Sequence, residues 1–275
     1  MSEYRSILYE VKDHVAVVSL NRPQYRNAQS RTLLEEMDDA FAKAAEDRDV
    51  RVIILRGEGQ HFSAGHDLGT PEQVADREAR PDEPGVRGRY KRGYDLYVDM
   101  SLRWRDLPKP TIAAVQGYCI FGGWMIASAM DLIFAADDAM FLAAAFQYFT
   151  PPWDLGARKT KEILFESRFI TAQEAKEYGL VNRVYPRDEL DRRTMAYARR
   201  VAENDPFLVR MAKAAVNQTQ DIQGFPAAIR DAYALYVIRA LGESDPGAVA
   251  IEREEGRRRR PMVQRAIDNM REDAD

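Results

Sequence analysis

Phe62-Ser63-Ala64-Gly65-His66-Asp67-Leu68 and Gly117-Tyr118-Cys119-Ile120-Phe121-Gly122-Gly123-Trp124 are two glycine-bearing stretches at which an apolar strand pattern gives way to a helical one. Glycine where a chain leaves a strand lets the backbone turn tightly and brings bare N–H groups close to a ligand. Two such donors aimed at one point form an oxyanion hole. Either stretch alone is as well explained by helix packing. Around them, short β-branched runs alternate with amphipathic segments. Residues 7–11 and 15–20 read as a hairpin broken at Lys12-Asp13. Leu33, Leu34, Met37, Ala40, Phe41 and Ala44 then recur at helical spacing behind the cap Ser30, which predicts a helix of about four turns. Val52-Ile53-Ile54-Leu55, Thr111-Ile112-Ala113-Ala114-Val115 and Leu132-Ile133-Phe134-Ala135 read as strands buried on both faces. Strands separated by helices predict an α/β (α+β) layered domain with parallel pairing.

Two regions depart from this rhythm. Residues 69–110 carry Arg87, Arg89, Lys91 and Arg92 interleaved with Tyr90, Tyr94 and Tyr97, and read as a mobile segment passing into a helix. From Ile170 the pattern turns helical. Thr171 and Glu174 form a capping box, Gly179 stops that helix, and 181–184 is a last strand before helical patterns at 189–203, 207–219 and 225–241. The division expected is a core over 1–200 and a helical C-terminal region over 201–275.

Composition narrows the function classes. The chain has 275 residues, 45% of them hydrophobic and 31% charged, which fits an ordinary globular protein. A net charge of -4 argues against nucleic acid or an anionic membrane as the main partner. The apolar runs 132–136 and 140–146 are interrupted by Asp137 and Asp138 and fall short of a membrane span. One cysteine, Cys119, excludes an internal disulfide. The amino-terminal Met-Ser-Glu-Tyr-Arg lacks the basic-then-apolar pattern of a secretory signal, so the expected location is cytoplasmic. No His, Cys, Asp and Glu set has metal-ligand spacing, so no metal is expected. His14 and His61 are expected at the surface.

Taken together and in order, the motifs resemble the crotonase superfamily, the enoyl-CoA hydratase/isomerase family. The resemblance runs from 15–23 through Arg26-Asn27-Ala28, the Phe62–Leu68 stretch, Lys109-Pro110-Thr111, Gly122-Gly123, Asp131 and Ile170-Thr171-Ala172-Gln173-Glu174-Ala175 to Gly179-Leu180-Val181. It implies a spiral of ββα units with a helical C-terminal trimerisation region, assembled as a homotrimer or as a hexamer made of two trimers. It implies an acyl-CoA thioester substrate, fatty acid metabolism as the setting, and no cofactor beyond the coenzyme A of the substrate. By the same match, His66 and Gly122 supply the oxyanion N–H groups. Arg26, Asn27, Ala28, Ala64, Gly65, Asp67 and Leu68 lie along the CoA site, and Met125, Ala145 and Trp153 lie along the acyl site.

The departures from the family pattern bear on the reaction. Hydratases of this family carry two glutamates, three and twenty-three residues after the oxyanion glycine, which act on water as base and acid. Those places hold Met125 and Ala145. The stretch that follows, Pro151-Pro152-Trp153-Asp154-Leu155-Gly156, is shorter than the family pattern by about two helical turns. Two ionisable candidates remain. The His66 imidazole takes part in catalysis, or the residue serves through its backbone alone. Asp154 moves a proton, or it caps a turn. Asp67 reads as a cap as well as a CoA-site residue, and Tyr148 and Trp153 as aromatic pocket or core. Arg257-Arg258-Arg259-Arg260 reads as a phosphate contact or a solvated run. The expected activity is therefore a lyase, isomerase or hydrolase acting on an acyl-CoA, with decarboxylation or C–C hydrolysis favoured over hydration. The rival class is a non-catalytic acyl-CoA-binding protein.

Overall fold

The computed structural model describes residues 4–143, 147–242 and 262–272. Strands β1 (Ile7–Lys12) and β2 (Val15–Leu20) pair antiparallel as the expected hairpin. Helix α1 (Arg31–Glu46) follows, with the Ser30 side chain accepting from Leu33 N. Next come β3 (Val52–Gly57), α2 (Pro71–Ala79), α3 (Gly85–Gly93), a π-helical turn over Tyr94–Asp99, and α4 (Met100–Arg105). The stretch expected to be mobile is thus helical for most of its length. It is fastened by polar contacts that periodicity does not display, among them Thr70 capping α2 and Arg31 reaching Asp76 and Asp82.

The chain continues through β4 (Thr111–Val115), β5 (Tyr118–Ile120), α5 (Gly122–Ser128), β6 (Leu132–Ala136) and β7 (Met140–Leu142). Then follow α6 (Pro151–Asp154), α7 (Ala157–Glu166), β8 (Ile170–Thr171), α8 (Ala172–Glu177) and β9 (Arg183–Tyr185). Helices α9 (Leu190–Ala202), α10 (Pro206–Ile222), α11 (Phe225–Gly242) and α12 (Met262–Glu272) complete it. The Thr171–Glu174 capping box is formed.

Six strands make one sheet in the order β1-β2-β3-β4-β6-β9, parallel from β2 onward, and β5-β7-β8 make a second. β2 is buried along its whole length because both sheet faces are covered. Val18, Leu20, Ile53, Leu55 and Val115 share a core with Leu33, Met37 and Phe41 of α1, while Val15, Val17, Ile54 and Ala114 pack on Leu190 and Ala198 of α9. That two-sided burial is why these strands read as continuous apolar runs.

The C-terminal helices attach unequally. Tyr233 of α11 is buried against Tyr90 and Tyr94 and donates to Tyr90 O (2.6 Å). α10 buries no residue completely, and Phe207 and Ile222 are 70% and 81% exposed. Arg257–Arg260 lie outside the described residues.

Candidate active site

The short ladder between Gln29 and His66 sets the geometry of the first glycine stretch. Gln29 N donates to Gly65 O (2.8 Å), and Asp67 N donates to Gln29 O (3.0 Å). Successive N–H groups of an extended chain point to opposite sides, so the N–H of His66 points away from Gln29. Ser63 pairs with Cys119 in the same manner, which lays this stretch beside β5 and brings it to the second one. There, Phe121 adopts φ 48 and ψ -105, a strained conformation for a residue other than glycine, stabilised as its N–H donates to Leu142 O (3.0 Å). The turn starts α5 at Gly122, and a first-turn N–H has no acceptor inside its own helix.

The two glycines meet face to face. A Cβ on Gly65 (φ +86) would stand 3.1 Å from Gly122 N and 2.8 Å from Ile120 O. A Cβ on Gly122 would stand 2.5 Å from Gln29 Oε1 and 2.7 Å from His66 Nδ1. Only bare backbone leaves room for a ligand oxygen near these donors.

Two amides and one ring enclose the His66 imidazole. Nδ1 lies 3.2 Å from Gln29 Oε1, Nε2 lies 2.9 Å from Gln147 Oε1, and Tyr97 stacks on the ring at 4.0 Å between centroids. Burial lowers its pKa to about 4, with Arg92 acting in the same sense and the Gln147 contact opposing. The residue surface is partly open, but the ring is packed within protein, and that packing governs its charge. Both contacts are made to amide oxygens, which accept, and a neutral imidazole has one N–H, so the ring donates to one of the two glutamines.

This arrangement makes a testable claim on titration. The chain has three histidines, so ring resonances separate readily by NMR. His66 is expected to stay neutral from pH 8 down to about 5, and its depressed pKa makes the fold lose stability as pH falls from 6.5 towards 4. A His66 titration midpoint near 6.5 would contradict the enclosure.

The remaining candidates divide. Asn27 is fully buried: Nδ2 donates to Glu58 O (2.9 Å) and His61 O (2.8 Å), and Oδ1 accepts from Arg22 N (2.9 Å). Its side chain builds the turn, in which Arg26 and Asn27 both have positive φ, and leaves exposed Arg26 and half-buried Ala28 and Ala64 to meet a ligand. Asp67 is a cap. It accepts from Gly69 N (3.0 Å) and Thr70 N (2.8 Å) and pairs with Arg22 (2.9 Å). Burial raises its pKa, and the Thr70, Gly69 and Arg22 hydrogen bonds together bring it below the ordinary value. Leu68 is 92% exposed, whereas Met125 is 1% exposed in the core beneath α5. Ala145 lies outside the described residues. The structure corrects the surface expectation for His61, which is half-buried, stacks on Tyr118 at 4.5 Å and accepts from Tyr118 N (3.1 Å) at Nδ1.

Asp154 stands elsewhere. Its neighbour Ser128 ends the helix that Gly122 begins, about 9 Å away along the axis. Here a cavity of about 430 Å³ is bordered by Arg105, Ser128, Tyr148, Thr150, Asp154 and Phe225. Burial raises the Asp154 pKa to about 6. The Thr150 and Ser128 hydroxyls oppose the rise from close by, although Oδ2 accepts no hydrogen bond. Trp153 packs on Phe225 at 5.3 Å on the same side. The structure therefore sets the 26–29 turn, Ala64, Gly65, His66 and Gly122 on adjoining segments joined by backbone contacts, and places Asp154 and Trp153 at the far end of α5.

Gln29, Gln147 and Tyr97 carry no sequence signal as site residues. The π-helical turn shifts the helical phase at Tyr97, so a 3.6-residue period misplaces it.

The comparisons agree on one family. The enoyl-CoA hydratase/isomerase family matches residues 10–236. A Mycobacterium tuberculosis protein carrying the provisional name enoyl-CoA hydratase EchA13 is 38% identical over 255 residues, 85% of this chain and 80% of the relative. A solved structure from Mycobacterium thermoresistibile, provisionally described as an enoyl-CoA hydratase, is 47% identical with a TM-score of 0.78, covering 84% of this chain and 93% of that one. An enoyl-CoA hydratase/isomerase from Xanthobacter autotrophicus Py2 superposes with a TM-score of 0.80 at 34% identity, covering 92% and 95%.

Proposed function

The chain belongs to the enoyl-CoA hydratase/isomerase family, the crotonase superfamily, and on that premise we propose that it generates a thioester enolate from an acyl-CoA without hydratase chemistry. The thioester oxygen sits between the N–H groups of His66 and Gly122, which stabilise charge as it develops. The observation that carries the reading is the pairing of this bare backbone cradle with an apolar side chain and an enclosed ring where a hydratase needs its acid and base. Met125 occupies one glutamate position and is buried among apolar side chains, and His66 is neutral and enclosed. Decarboxylation or C–C cleavage needs chiefly an electron sink, and the cradle supplies one. Coenzyme A enters as part of the substrate, past Arg26, Ala28 and Ala64, and no other cofactor takes part.

A panel of acyl-CoAs tests this, with binding by calorimetry and turnover by CO2 release or thioester loss measured on the same samples. The expected result is turnover of a 2-carboxyacyl-CoA or a 3-oxoacyl-CoA. Tight binding of several acyl-CoAs with turnover of none would favour an acyl-CoA-binding protein instead.

Assembly follows from α10 and α11. Phe207, Leu208, Val216 and Ile222 of α10, with Leu235 and Ile238 of α11, are each more than 60% exposed, and large apolar side chains clustered on one face suit an interface. A homotrimer, alone or paired as a hexamer, covers them. Light scattering at micromolar concentration is expected to give a multiple of three chains, and a monomer would refute the assignment. Among the described residues no helix is long and apolar enough to cross a membrane.

A further inference from the structure

We propose that Tyr97 is the proton donor of this site, delivering its hydroxyl proton to the α-carbon of the enolate. The inference rests on the enolate reading above.

Among the described residues, hydrogen-bond and ring contacts to the His66 imidazole come from three side chains, and two of them are glutamines, whose amides do not transfer protons at neutral pH. The third is Tyr97. The π-helical turn at Tyr94–Asp99 presents it, stacked on the residue whose backbone N–H forms half of the cradle. Among the described residues its hydroxyl has no hydrogen-bond partner. Unlike Tyr148 Oη, it is not sealed inside the core. A polar group left unengaged on a ring that stacks against the His66 imidazole is suited to a partner that arrives with the substrate.

The charges also fit. Burial pushes the Tyr97 pKa up to about 12, so the group is protonated and ready to donate at neutral pH. Arg92 acts the other way and favours the phenolate left after donation, with Arg77 adding to it and Tyr236 and Asp67 opposing. His66 cannot substitute, because both ring nitrogens face amides and its pKa lies far below neutrality.

A 2-carboxyacyl-CoA reacts in two steps. The bond from the α-carbon to the carboxylate breaks, and its electron pair passes into the enolate. The Tyr97 Oη–H bond then breaks as the α-carbon–H bond forms, and the phenolate regains a proton from water. CO2 and the remaining hydroxide leave together as bicarbonate.

Tyr97→Phe keeps the ring and its stacking and removes only the hydroxyl. The probe is 2-nitropropionyl-CoA, whose nitronate carries the charge of the enolate, titrated against both proteins by calorimetry beside propionyl-CoA. The wild-type protein is expected to bind the nitronate more tightly than propionyl-CoA. Tyr97→Phe is expected to lose about tenfold or more in nitronate affinity, as for a hydrogen bond to a charged group, with propionyl-CoA affinity unchanged. Equal nitronate affinity in the two proteins would overturn the role of Tyr97 and leave the cradle standing. A wild-type protein with no preference for the nitronate would remove the cradle reading and this proposal with it. With a turned-over 2-carboxyacyl-CoA, kcat is expected to fall about a hundredfold or more while KM changes little.

Discussion

Crotonyl-CoA is expected to bind and to be hydrated at no more than about 0.1 to 0.001 per second. An ordinary enzyme turns over at about 10 per second, and a positioned acid or base contributes about a hundredfold to ten-thousandfold. The place where the resemblance expects the first glutamate holds Met125, packed at 1% exposure in the apolar core. The second holds Ala145. Groups that act on one water as a pair are not additive, so loss of the second lowers the rate further without multiplying the full factor. His66 does not replace them, being neutral and engaged at both nitrogens. Hydration followed at 263 nm, the absorbance of the enoyl thioester, decides the matter. A rate of about 1 per second or faster would show that another acid–base pair operates.

The second large effect lies at Gly122. Alanine there keeps the N–H but sets a methyl 2.5 Å from Gln29 Oε1 and 2.7 Å from His66 Nδ1, so the enclosed imidazole must move and the cradle narrows. Proline adds similar bulk and deletes the donor as well. The first helical position tolerates proline because its N–H has no helical acceptor, which favours a folded variant. Activity is expected to fall about a hundredfold to a thousandfold in Gly122→Ala, and to become undetectable in Gly122→Pro. Circular dichroism and light scattering must first show both proteins folded and assembled like the parent. Comparable residual activity in the two variants would mean that the Gly122 N–H is not a donor to the thioester.

These expectations draw on different layers of information. The hairpin, the parallel strands and α1 are legible in the chain because each buries a face whose period is fixed locally, two residues in a strand and 3.6 in a helix. The Thr171–Glu174 capping box is likewise local. Met125 and Ala145, at the spacings where the resemblance expects glutamates, are likewise read from residue identity alone. Gly65 and Gly122 are legible for a related reason: glycine is required where backbone must meet backbone, and both stretches carry it.

What tertiary structure alone decides is how side chains distant in sequence meet. Asp154 and Met125 look equally close to the chemistry along the chain. Yet α5 carries the Gly122 turn at one end and the Asp154 cavity at the other, about 9 Å apart. Gln29 and Gln147 reach His66 from 37 and 81 residues away, and no local pattern encodes that meeting. Tyr97 belongs with them, because the π-helical turn shifts its phase by an amount that hydrophobic periodicity does not register. The layers, the two glycine turns and the residues at 125 and 145 follow from local backbone preference or residue identity, and so are legible in the chain. The neutral, enclosed imidazole and its tyrosine partner were decided by packing, because desolvation and hydrogen bonding depend on which groups surround an atom in space.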